Sequence, residues 1–146
     1  MTSGHIAVPA LIARYAELID AGDFAGLGAL FAYATIIVDD TGQQVRGSEA
    51  ITAAYNGWTK RYGDTGTPKT KHVTTNLILD VDDEAGMATC RSYVTVFQAT
   101  EDLPLQPIFS GRYRDAFQRV EGEWRFAERR IITDFAGDMS RHVLTP

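Results

Sequence analysis

The chain has 146 residues, 45% hydrophobic and 23% charged, which is enough apolar surface to bury a core and still enclose a small cavity. Its formal charge of −5 argues against nucleic acid or an anionic membrane as partner, because both reward a basic patch. Cys90 is the sole cysteine, which excludes an internal disulfide and a paired-thiol redox site.

In chain order, PALIARYAELIDAGDF predicts an amphipathic helix with Pro9 in its first turn and Leu11, Ile12, Tyr15, Leu18 and Ile19 on one stripe. Gly22 stops that helix, and Asp23 caps a second one burying Phe24, Leu27, Leu30 and Phe31. ATIIVDD predicts a strand turning at Thr41–Gly42, with QQVRG as a short return strand. Ser48 then caps a third helix, whose buried side carries Ile51, Ala54, Tyr55 and Trp58. RYGDTGTPK, within 59–70, predicts a loop long enough to act as a flap.

The second half predicts four strands, over 69–81, 87–99, 107–120 and 123–136, with tight turns at DDEAG and VEGEW. Helices followed by a long meander is an α+β pattern. Residues 1–146 are expected to form a single domain. Its curved, mostly antiparallel sheet would wrap around the N-terminal helices and enclose a cone-shaped internal pocket. Within KHVTTNLILDVDD, alternation puts His72, Thr74 and Asn76 on one face and Val73, Leu77, Leu79 and Val81 on the other. The odd-numbered side is the more apolar one. The polar stripe either faces water or lines a hole inside the protein, and the pattern leaves both open.

Familiar catalytic signatures are absent from the sequence: there is no Gly-rich phosphate loop, GxSxG, HExxH or CxxC. His72 has no neighbour at metal-ligand spacing, so neither a metal nor a cofactor is expected. No apolar run reaches the roughly 20 residues of a membrane helix. The opening MTSGHIAVPA lacks the basic start and apolar core of a signal peptide, so a cytoplasmic location is expected.

RYAELIDAGDFAGLGALFA resembles the opening helices of the nuclear transport factor 2-like superfamily, including its SnoaL-like branch. GRYRDAFQRVEGEWRFAERRI resembles the last hairpin of the same superfamily, and also the small subunit of ring-hydroxylating dioxygenases. The resemblance implies the cystatin-like cone described above. It constrains function less, because this fold hosts isomerases, dehydratases, cyclases and non-enzymes. In the ketosteroid isomerase branch, Tyr15 matches a first-helix tyrosine. Asp39 or Asp40 stands near the carboxylate base, Asp115 near a second acid, and His72 has no equivalent. The dehydratase branch, with scytalone dehydratase and bile-acid 7α-dehydratase, resembles the chain more closely, because Tyr15, Asp20 and His72 can be laid onto its tyrosine, aspartate and histidine. Five residues turn a helix by about 500°, so Asp20 would have to reach the pocket from the helix end.

The implied activity is a cofactor-independent lyase or isomerase of dehydratase type, acting on a hydrophobic steroid, polyketide or aromatic molecule. Dehydrating a β-hydroxy carbonyl compound needs a base for the proton beside the carbonyl and an acid for the leaving hydroxyl. An imidazole serves both, since it ordinarily titrates near pH 6.5. His72 would be that group, Asp20 its orienting carboxylate and Tyr15 the donor to the enolate oxygen. Asn76, Tyr93, Asp39 and Arg130 are the expected substrate-binding residues. Each has a plainer reading. Tyr15 fits a core aromatic, Asp20 a solvated helix end, His72 and Asn76 a wet strand face, Tyr93 core or cavity wall, and Arg112, Arg129 and Arg130 surface or sheet salt bridges. Cys90 reads as an inert packed thiol. His5, in an N-terminal arm, and His142, in a polar tail, read as non-catalytic. The alternatives to an enzyme are a small-molecule-binding protein and a structural subunit. The resemblance further implies a homodimer or homotrimer paired through the exposed sheet face.

Overall fold

The computed structural model describes residues 1–144. Helices α1 (Gly4–Asp20), α2 (Phe24–Leu30) and α3 (Ser48–Trp58) cover one face of a six-stranded sheet. Its strands are β1 (Thr35–Val38), β2 (Gln43–Arg46), β3 (Thr70–Asp82), β4 (Met87–Thr100), β5 (Leu103–Val120) and β6 (Glu123–Ala136). They lie in the order β2-β1-β6-β5-β4-β3. The β1–β6 pair is parallel and the other pairs are antiparallel, so the architecture is the expected α+β one. No helix among the described residues is long and apolar enough to cross a membrane.

Helix α1 begins earlier than Pro9 suggests. Ser3 accepts from the His5 N–H at 3.2 Å, and Asp83 of the β3–β4 turn accepts from Gly4 N–H at 2.7 Å. A carboxylate at a helix N-terminus satisfies orphan donors and complements the helix dipole. A Cβ on Gly4 would lie 2.7 Å from Val81 and 2.9 Å from Trp124, so only glycine lets the helix start this close to the sheet. Pro9 therefore lies inside the helix, and His5 belongs to it rather than to a loose arm. Asp23 caps α2 as expected, accepting from Gly26 N–H at 2.8 Å. Ser48 does not cap α3. Gly47, at φ +84°, makes the entry turn, and Ser48 is the first helical residue.

The core packs Val8, Ile12, Leu18, Phe24, Leu27 and Phe31 from the helices against Val94, Phe117 and Phe126 from the sheet. Phe31 and Phe126 stack at 4.4 Å. Strand β3 does not keep one alternation throughout. Thr75 pairs with Tyr93 and Ile78 with Arg91, so Asn76 and Leu77 together face the single residue Ser92. This β-bulge shifts the parity by one. Before it, Thr70, His72 and Thr74 turn inward; after it, Leu79 and Val81 do.

Candidate active site

The end of α1, the start of β3 and the segment after β6 surround a cavity of about 330 Å³, open at one side. Most of its wall is apolar, from Ile19, Val38, Trp58, Val96, Phe109 and Ile131. Its polar groups come from Tyr15, Tyr55, Tyr113, His72, His142 and several threonines and Gln43. A mostly apolar cleft with a few converging polar groups is the usual form of a small-molecule site.

Asp20 is the last residue of α1, which lets its side chain cross to β3 as the helix geometry demands. One oxygen, Oδ1, lies 2.7 Å from His72 Nδ1 and accepts from Thr70 Oγ1 at 2.8 Å. The other, Oδ2, accepts the His72 backbone N–H at 2.8 Å. Burial pushes this carboxyl up, but the hydrogen bonds from His72 and Thr70 outweigh it and hold the group below its ordinary value. Asp20 thus stays ionised and, as an acceptor only, holds a proton on His72 Nδ1, which leaves Nε2 as the ring nitrogen free of this contact. Asp20 itself lies behind the imidazole and not in the cavity wall.

Tyr15 projects from the middle of α1, and its hydroxyl is 2.5 Å from that of Tyr55 on α3. Its ring stands edge-on to His72 with centroids 6.4 Å apart. Tyr113, from β5, is edge-on to Tyr15 at 5.9 Å. Burial pushes all three phenols upward, so they remain protonated donors. Behind them sits Arg129. Its guanidinium carbon is 3.6 Å from the centre of the Tyr113 ring and 4.3 Å from that of Tyr15. Two hydrogen bonds, at 2.8 and 2.9 Å, tie it to Asp115, and both side chains are fully buried. Burial works against the charge on Arg129, but Asp115 more than compensates and the guanidinium stays protonated. Asp115 is therefore occupied by an ion pair beneath the tyrosines and is not a free acid in the pocket.

The structure brings Tyr15, Asp20 and His72 together. It separates the four residues expected to bind substrate. Asn76 sits in the bulge at φ +57° and is exposed. Tyr93 is 56% exposed, and both line a groove on the opposite face of the sheet with Arg91, Arg112 and Arg114. Asp39 and Arg130 pair with each other at 3.0 Å, with both side chains substantially exposed. None of the four lines the cavity, because each has the parity of the outer face or lies in the turn beyond β1.

Tyr55, Tyr113 and His142 join the site unannounced. The first reads in sequence as a helix core residue, and the second is one aromatic among many strand residues. His142 lies eight percent exposed in the cavity wall, because residues 141–144 fold back over the end of α3. Thr59 bridges to Val143, and Leu144 N–H donates to Trp58 O at 2.9 Å. The 59–70 loop contributes only Thr59 to the lining. Elsewhere it is tied down, with Arg61 donating to Gly22 O and Asn56, and Tyr62 to Arg141 O. Among the described residues no cluster of His, Cys, Asp and Glu has the arrangement of a metal site.

The SnoaL-like domain model matches residues 5–130. Rv3472 of Mycobacterium tuberculosis, a protein of unknown function, is 29% identical over 89% of this chain and 71% of its own, with a TM-score of 0.72. An NTF2-like protein with a cystatin-like fold from Novosphingobium aromaticivorans is 22% identical, covering 94% of this chain and 86% of its own, with a TM-score of 0.75. A candidate scytalone dehydratase from the same organism is 23% identical, covering 90% and 85%, with a TM-score of 0.70. No curated protein sequence matches. The chain belongs to the SnoaL-like domain family.

Proposed function

We propose that this SnoaL-like protein is a lyase or isomerase of dehydratase type, acting by proton transfer on a hydrophobic small molecule that carries a carbonyl. The observation that carries this reading is the His72–Asp20 pair, 2.7 Å between Nδ1 and Oδ1, in the wall of a mostly apolar cavity. In the proposed reaction, His72 Nε2 takes the proton beside the carbonyl, and the electron pair of that C–H bond moves toward the carbonyl oxygen. Tyr15, hydrogen-bonded to Tyr55, donates to the oxygen as it gains charge. Asp20 stabilises the imidazolium so formed. For a β-hydroxy carbonyl compound the enolate pair re-forms a carbon–carbon double bond, the C–O bond breaks, and His72 returns its proton to the departing hydroxyl as water. For an unsaturated ketone the same proton goes back to a different carbon. The apolar lining supports a cyclic, aromatic or polyketide-like skeleton.

Screening β-hydroxy ketones and β,γ-unsaturated ketones tests the reading. With an active substrate, His72→Ala is expected to cost about 10²–10⁴-fold in kcat/KM while circular dichroism stays unchanged. A variant as fast as the parent would remove His72 from the chemistry, whereas no turnover of any of these ketones would leave a binding protein with the same cavity.

A further inference from the structure

The outer face of the sheet, away from the cavity, carries a second groove of about 300 Å³. Its floor is the backbone of Ser92 and Tyr113, which pair in register on β4 and β5 and keep their side chains buried on the other face. Its walls are Arg91, Arg112 and Arg114, with Tyr93, Ile78 and Asn76. Arg91 stands directly opposite Arg114, and Arg114 directly opposite Arg130, so three arginines lie in one row across β4, β5 and β6. Directly opposed side chains start about 5 Å apart, and like charges there repel. In a chain with 14 basic and 19 acidic residues, composition alone does not produce such a row. Asp134 pairs with Arg112 at 2.9 Å and Asp39 with Arg130 at 3.0 Å. Arg91 and Arg114 are exposed and make no ion pair among the described residues. Asp80 and Glu128 stand in the next row along the strands, opposite Thr89 and Ala116, and pair with no arginine.

We propose that this groove is an anion-binding site for a phosphate monoester with an aromatic or apolar body. Three guanidiniums against the one carboxylate of Asp134 leave two positive charges at the groove. A phosphate monoester carries about −1.5 to −2 at pH 7 with three acceptor oxygens, and the guanidinium fork matches such oxygens in pairs. A carboxylate brings only one charge to the same place. The body of the ligand is provided for as well. Tyr93 and Ile78, both more than half exposed, border the arginines with an aromatic face and an aliphatic surface. A bound dianion also removes the repulsion between Arg91 and Arg114. The site is separate from the cavity: Tyr113 gives its ring to the cavity wall and its backbone to the groove floor.

The probes are phenyl phosphate, inorganic phosphate and benzoate, with affinity measured by calorimetry at low salt and position by backbone amide ¹⁵N shifts. The parent protein should bind one phenyl phosphate, about tenfold more tightly than either inorganic phosphate or benzoate, and the shifts should centre on Ser92 and Tyr113. Arg91→Gln and Arg114→Gln should each weaken phenyl phosphate about tenfold, the loss of one charge-assisted contact. Tyr93→Ala should remove the advantage over inorganic phosphate. Lys71→Gln, an equal change of charge on β3 outside the groove, should leave affinity within twofold. Absence of binding, shifts centred elsewhere, an equal loss in Lys71→Gln, or unchanged affinity in both arginine variants would overturn the proposal. Benzoate bound as tightly as phenyl phosphate would overturn the choice of a phosphate. Arginine variants that shift a monomer–oligomer equilibrium in sedimentation, with no phosphate bound by the parent, would overturn it in favour of a second copy of the chain. The shift map of the parent protein stands even if a variant fails to fold.

Discussion

At the scale of single residues, Asp20 carries more of the site than its position at a helix end suggests. It fixes the backbone of β3 through the His72 N–H, the rotamer of Thr70 and the tautomer of His72 at once. Asp20→Asn keeps the shape and removes the charge. Its amide can donate to Nδ1, which would place the imidazole proton on Nε2 and leave no base in the cavity. The expected result is a loss on the order of 10²–10⁴-fold in kcat/KM with KM little changed, and a ¹⁵N spectrum showing the other His72 tautomer. A rate within threefold of the parent would refute the tautomer argument. Arg129 raises the opposite case, since its contacts are structural. Arg129→Met should cost about 3–5 kcal/mol in urea unfolding, because Asp115 is then left buried without its counter-charge. Replacing both Arg129 and Asp115 with apolar residues of like volume should recover much of that loss; a double variant as unstable as the single would show that the tyrosine contacts of Arg129 matter more. The grouping of Tyr15, Asp20 and His72 was legible only through the family resemblance, because spacing alone left His72 free to face either way and set Asp20 off the line of Tyr15. His142 was not, since a short polar tail says nothing about what it folds against.

At the scale of elements, strand β3 shows why the sequence pattern could not decide where His72 points. A strict two-residue alternation forces a choice between an inward polar stripe and an inward apolar stripe. The bulge at Asn76–Leu77 removes the choice, with His72 inward before it and Leu79 and Val81 inward after it. Asparagine is among the few residues that take the left-handed conformation readily, so its φ of +57° is the local signal that alternation breaks there. The same shift explains why Asn76 itself is lost to the cavity. Asn76→Gly should therefore change stability by less than about 0.5 kcal/mol, whereas Asn76→Val, β-branched at positive φ, should cost about 1–2 kcal/mol. Equal unfolding midpoints for the two variants would mean that the bulge is not held by this residue. The helices and the four long strands were legible because their periodicity is strong. The caps at Ser3 and Gly47 and the start of β5 at Leu103 were not, because they depend on Asp83, on a glycine turn and on pairing with β4.

At the scale of the whole molecule, the buried histidine of the cavity links the site to global stability. In the unfolded chain His142 binds a proton below about pH 6.5; in the folded protein burial delays this to about 4. Between these values the unfolded state holds more protons, so stability rises with pH and falls as the solution is acidified. The gap corresponds to about 3 kcal/mol, all present above pH 6.5 and gone near pH 4. Asp20, held below its ordinary value, adds a second loss at lower pH, as its carboxylate is protonated and its bonds to His72 and Thr70 weaken. The stability curve should therefore fall in two stages, the first between pH 6.5 and 4 and the second below that. His142→Gln should flatten the first stage and spare the second. Urea unfolding at several pH values measures each of these slopes. A parent curve that is level from pH 7 to 4 would mean that His142 is as easily protonated folded as unfolded, and that the cavity wall opens to water at this point.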